Sequence, residues 1–120
     1  VLTSIQAGPV GAPQLVLLHG ITSSAAANWP SIAHWSQRGW RVIALDARGH
    51  GLSPRWQPQQ LLRAGQQLVA AVVEVLEYLP TPAAGLKPIL IGHSMGAATA
   101  AVVAAQRPDL VSALVLDDPA

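Results

Sequence analysis

Short apolar runs alternate along this chain with longer stretches of helical spacing. Leu15 to Leu18 runs into His19-Gly20, Arg41 to Leu45 ends at Asp46, Pro88 to Ile91 ends at Gly92, and Ala113 to Leu116 ends at Asp117. These four runs are solid rather than alternating, which predicts strands of a parallel sheet buried on both faces. Leu2 to Ala7 alternates instead and is expected to be an antiparallel edge strand. Pro30 suits the first turn of a helix running to about Arg38, with Gly39 ending it. Gln60 to Leu79 places Leu61, Leu62, Leu68, Val72, Val75, Leu76 and Leu79 near helical spacing, and Pro80 and Pro82 stop it. Met95 to Gln106 reads as a small-residue buried helix, ended by Pro108. Its apolar run is far shorter than the roughly 20 residues a membrane span requires.

Strands that alternate with helices predict the α/β class, with a doubly wound, mostly parallel sheet. Ligands on such sheets bind beyond the carboxyl ends of the strands, so the residues after each strand are the ones to inspect.

Composition narrows the function classes. The chain has 120 residues, 51% of them apolar, enough for one domain with a core. Seven Lys and Arg against six Asp and Glu leave a net charge of +1 without a basic run, which argues against nucleic acid as a partner. Only 11% of residues are charged, so part of the surface is expected to be covered by something outside this sequence. The absence of cysteine excludes disulfides and thiolate metal sites. No metal cluster is read, and Gly49-His50-Gly51 lacks the third glycine and the strand context of a nucleotide loop. No cofactor or metal is therefore expected. No signal-peptide pattern is visible at Val1. A soluble chain without a transmembrane segment is expected; the cytoplasm is favoured, though the sequence does not fix the compartment.

The strongest chemical signal is Gly92-His93-Ser94-Met95-Gly96, between an apolar strand and a helix. A serine on such a sharp turn has its hydroxyl lifted clear of the sheet, and the glycines permit close backbone approach. The following helix N-terminus offers free N–H groups and partial positive charge, so the Met95 N–H is the natural first donor of an oxyanion hole. The bland alternative is a glycine-rich turn whose serine merely caps the helix. Two further strand ends carry patterns, namely His19-Gly20 and Asp46-Ala47-Arg48-Gly49-His50-Gly51 followed by Ser53.

These three motifs, in this order, resemble the α/β-hydrolase family, most closely its cap-bearing esterase, epoxide-hydrolase and haloperoxidase group. The resemblance runs from about Leu15 to Pro119. It implies that the chain is the N-terminal portion of a core domain, truncated before the lid and the C-terminal strands. It also implies Ser94 as nucleophile and the Ile21 N–H as second oxyanion donor beside Met95. His19, Gly20, Gly92, His93 and Gly96 become supporting turn residues. Trp29 is expected to pack structurally at the start of its helix. The loop from Asp46 to Ser53 is expected to buttress the nucleophile turn, with Asp46 and Arg48 in structural polar contacts. A serine at position 94 argues against the epoxide-hydrolase and haloalkane-dehalogenase chemistries, which use a carboxylate nucleophile.

A serine hydroxyl needs a base at neutral pH. The family order is Ser, acid, His, with the His near the C-terminus. His19, His34, His50 and His93 each have another reading, so no base is assigned within this chain. The acid is expected beyond the chain as well, with Asp117 or Asp118 as the alternative. The end at Asp118-Pro119-Ala120 falls where relatives insert a lid. The rest of the same protein, or a second chain, is therefore expected to cover the edge after the last strand. The expected function is a serine hydrolase acting on an ester or related small acyl substrate, the isolated chain being inactive. The alternatives are a cofactor-free lyase or perhydrolase on the same scaffold, and a non-catalytic fragment or small-ligand receptor.

Overall fold

The computed structural model describes residues 2–82 and 84–118. The far end of the Asp118-Pro119-Ala120 segment therefore lies outside the described residues, as does Val1. Five strands form one sheet in the order β1-β3-β2-β4-β5. They are β1 (Ser4–Ala7), β2 (Gln14–Leu18), β3 (Arg41–Leu45), β4 (Ile89–His93) and β5 (Ala113–Asp117). Only β1 is antiparallel, pairing Ser4 with Leu45 through Ala7 with Val42. The other pairs are parallel, with Leu18 beside both Leu45 and Gly92, and His93 beside Asp117. This register brings His19, Asp46, Ser94 and Asp118 to the same end of the sheet.

Three helices connect the strands: α1 (Trp29–Ser36), α2 (Ala64–Tyr78) and α3 (Met95–Gln106). Side chains two apart along a strand share a face. Val16, Leu18, Ile43, Leu45 and Leu90 accordingly pack with Val69, Val72 and Leu76 of α2 and Ala100 and Val103 of α3. Leu15, Leu17, Val42 and Ala44 meet Ile32 of α1 on the opposite face. The small residues of α3 let it lie close to the sheet, with Gly96, Ala97, Thr99, Ala100 and Val103 buried. Among the described residues, no helix is long and apolar enough to cross a membrane.

Three expectations change. The β5 run was expected to be buried on both faces, but every residue of it is exposed. It sits at the end of the sheet with one neighbour, so its apolar composition is not matched by cover within these residues. The long helix expected from Gln60 begins at Ala64, because Pro58–Arg63 forms a 3-10 turn that faces Leu61 and Leu62 outward. Trp29 opens α1 but is 56% exposed, so it lacks the packing role expected for it.

Candidate active site

Ser94 stands between the last residue of β4 and the first of α3, with φ 51° and ψ −112°. A non-glycine residue rarely adopts that conformation, and holding it requires surroundings that over-determine the turn. The neighbouring glycines show what those surroundings are. A Cβ on Gly92 would collide with the carbonyl of Gly96, and one on Gly96 would collide with the carbonyl of Leu18. The first turn of α3 is thus pressed against the ends of β4 and β2 at backbone distance. The Ser94 N–H donates to the Asp117 carbonyl at 3.0 Å, and the Ser94 carbonyl accepts from the Ala98 N–H at 3.1 Å, starting the helix.

The Ser94 side chain is half-buried, and its hydroxyl has no hydrogen-bond partner among the described residues. The His19-Gly20 turn lies directly beside it. A Cβ on Gly20 would sit 3.2 Å from His93 Cδ2 and 3.4 Å from Ser94 Cβ. The Gly20 carbonyl lies 2.7 Å from His19 Nδ1 and accepts from the Ser23 N–H at 3.2 Å. A trans peptide directs its N–H opposite to its carbonyl, so the Ile21 N–H points away from both partners. Neither the Ile21 nor the Met95 N–H has an acceptor among the described residues. Met95 is the first residue of α3, where the helix itself supplies no acceptor.

His19 is 2% exposed and explains how the turn is held. Its Nε2 accepts from the Ala47 N–H at 3.0 Å, which leaves the proton on Nδ1 for donation to Gly20. Burial lowers its pKa below the ordinary 6.5, the hydrogen bond to Gly20 opposes this, and His50 adds to the lowering. The ring is therefore a neutral bridge between two strand-end loops.

The loop after β3 is anchored by Asp46. Its Oδ1 accepts from the Ala25 N–H at 2.8 Å, and its Oδ2 from the Thr3 hydroxyl at 2.8 Å and the Leu52 N–H at 3.2 Å. Burial pushes this carboxyl up, but the three donors outweigh it and hold it below its usual range. Ser53 closes the loop, donating from Oγ to the Asp46 carbonyl at 2.6 Å and accepting from the Thr3 N–H at 2.8 Å. Asp46 thus makes the expected structural contacts. Arg48 does not, because its buried Nε has no partner among the described residues. The loop reaches the Ser94 turn indirectly, through Ala47, His19 and Gly20. Thr3 and Ala25 were missed by sequence reasoning, since no motif links them to a loop over 20 residues away.

None of the histidines hydrogen-bonds Ser94. His50 Nδ1 lies 3.1 Å from its near neighbour's carbonyl at Arg48, and His34 stacks edge-on with Trp35 at 4.7 Å. His93 Nδ1 pairs with Asp117 Oδ2 at 3.0 Å on the surface. Asp117 is therefore engaged by the residue preceding the serine, while Asp118 is exposed with φ 49°. A groove of about 680 Å³ runs between α2 and α3 from Gly65 and Met95 to Gln106. A second, of about 180 Å³, lies over Ile91, His93 and Asp117 on the α1 face.

Comparison with known proteins shows the family to which the chain is similar. A family model for the alpha/beta hydrolase fold matches residues 13–120. The sn-1-specific diacylglycerol lipase ABHD11 of Mus musculus is 39% identical over 113 residues, covering 92% of this chain and 34% of that protein. Lipase LipV of Mycobacterium tuberculosis is 35% identical over 113 residues, covering 94% of this chain and 40% of that protein. The thioesterase domain from the curacin biosynthetic pathway superposes with a TM-score of 0.84 at 28% identity, over 96% of this chain and 41% of that one. The chain thus spans between about a third and two fifths of the length of these proteins.

Proposed function

From the premise that the chain belongs to the α/β-hydrolase fold family, we propose that it carries the nucleophile of a serine hydrolase acting on acyl esters. The observation that carries this reading is the Ser94 turn, a strained backbone holding a hydroxyl beside two N–H groups, all three without a hydrogen-bond partner among the described residues. The strain at this serine is enforced by the glycines on either side of it, and backbone strain of this kind clusters at functional sites.

In the proposed reaction Ser94 Oγ attacks the acyl carbonyl, and the Ile21 and Met95 N–H groups receive the negative charge that develops on its oxygen. A histidine from the larger protein takes the serine proton and returns it to the leaving alcohol, oriented by an acid also outside these residues. Water then attacks the acyl-serine ester and releases the carboxylic acid. An ester substrate is supported by the relatives named as lipases. The hydroxyl side chain at position 94 sets the chain apart from chemistries that need a carboxylate nucleophile there.

Fluorophosphonate labelling of the full-length protein tests the reading. Labelling of Ser94 that disappears in Ser94→Ala, together with Ser94-dependent ester hydrolysis, is expected. A folded full-length protein that is neither labelled nor active across short and long acyl esters overturns it. The 120-residue chain alone is expected to be inactive, since no described histidine reaches the serine.

A further inference from the structure

The charge of this chain is distributed unevenly. From Val1 to Val73 the only acidic residue is Asp46, against five arginines. Arg38 and Arg41 lie at the end of the sheet away from Ser94, where β3 begins. Arg48, Arg55 and Arg63 lie in the segment that joins the end of β3 to the start of α2. None of these three is in an ion pair among the described residues, whereas Arg107 is paired with both Glu77 and Asp109. Arg55 donates to the Gly49 and Gly51 carbonyls at 2.6 and 2.8 Å, which fixes its position without neutralising it. The nearby Asp46 carboxylate is buried and occupied by its three donors.

The same segment exposes leucines. Leu52 is 85% exposed, Leu61 58% and Leu62 87%. None of the three lines the grooves at this end of the sheet, so they offer an apolar surface without a concave site. The segment leads into α2, whose first turn shares a groove with Met95, so it stands at the Ser94 end of the molecule. Of the exposed acids of this end, Asp117 closes β5 and Asp118 follows it, and β5 lies three strand spacings or about 14 Å from β3. That exceeds the roughly 8 Å over which surface charges act at physiological salt.

Exposed leucines interleaved with unpaired arginines match a lipid surface bearing negative headgroups. The apolar side chains enter the headgroup boundary while the guanidinium groups stay level with the phosphates. We propose that the segment from Leu52 to Arg63, with the exposed Arg55 and Arg63, docks this end of the protein onto an anionic phospholipid surface. Docking here sets the Ser94 end against the lipid, where an acyl substrate could be drawn from it. The inference goes beyond the hydrolase reading and is separable from it, because surface binding does not require the serine hydroxyl.

The test is sedimentation of the full-length protein with phosphatidylcholine vesicles, with and without phosphatidylglycerol. Binding is expected only to the anionic vesicles, weakening as salt rises. Arg55→Gln and Arg63→Gln should each lower affinity about fivefold, the effect of one cation near such a surface. The double variant Leu61→Ser/Leu62→Ser should lower it at least as much with an unchanged thermal melt, and Ser94→Ala should bind like the parent. Absence of binding to anionic vesicles overturns the proposal, as when the leucines lie beneath another part of the protein. Arginine and leucine variants that bind as tightly as the parent overturn it as well. Failure of Ser94 labelling with vesicle binding intact would defeat only the hydrolase reading.

Discussion

The backbone N–H of Ser94 donates to the carbonyl of Asp117 at 3.0 Å, tying the turn that carries the serine to the end of the neighbouring strand. The link continues the parallel register of β4 and β5, in which His93 lies beside Asp117. The turn is thus held from β5 by a hydrogen bond and from β2 by direct backbone contact at Gly96. It cannot relax its dihedral angles without disturbing both neighbours.

The glycines beside Ser94 are therefore expected to be intolerant of even one methyl group. Gly96→Ala would drive a Cβ into the Leu18 carbonyl, and Gly92→Ala would drive one into the Gly96 carbonyl. Each should cost about 1–3 kcal/mol or more, the range for overpacking a site that cannot yield. Chemical denaturation of the full-length variants measures this. Gly65→Ala, at a position with no neighbour within 4 Å, is the control and should not destabilise.

Ser94→Gly should stabilise the protein while abolishing serine labelling. The residue holds φ at 51°, and glycine relieves a strain of about 1–3 kcal/mol. Ser94→Ala retains the strain and should melt close to the parent. A glycine variant no more stable than the alanine variant would contradict the strain.

Removing charge from Asp46 should loosen the loop that supports His19. In Asp46→Asn one acceptor becomes an NH2 group, which cannot accept from the Ala25 N–H or from the Thr3 and Leu52 donors. A loss of about 1–3 kcal/mol is expected for the donors left unpaired. Amide hydrogen exchange at Ala25 and Leu52 should quicken in the variant.

Stability should fall on acidification in two steps. The pKa of His19 is lowered in the folded protein below its ordinary 6.5, so the unfolded chain takes up this proton first. The stability carried by the neutral ring is present above that pH and is lost as pH falls below it. Asp46 is likewise lowered from its ordinary 3.8, so its contribution is lost only in stronger acid. Urea midpoints measured from about pH 7.5 to about pH 5 report the first step. His19→Gln should flatten that step, and an undiminished slope in this variant would assign it to another group.

The sequence by itself determined the α/β class, the order of strands and helices, and the place of the sharp turn that carries Ser94. Those features rest on local chemistry: solid apolar runs, glycines at close backbone approach, and prolines that end helices. The bounds of β3 and α3 were legible for this reason, as was the antiparallel strand at β1. What it did not determine depends on neighbours. β5 reads as a buried strand, yet it is exposed, because burial is decided by which elements lie alongside and not by composition. Leu61 and Leu62 fit a helical stripe, yet the Pro58–Arg63 turn changes their phase and leaves them in water. His19 appears in the sequence only as the first half of a His-Gly pair. Its role as a neutral bridge from Ala47 to Gly20 arises because parallel register sets the ends of β2 and β3 side by side, and burial there removes the hydration that would stabilise a protonated ring.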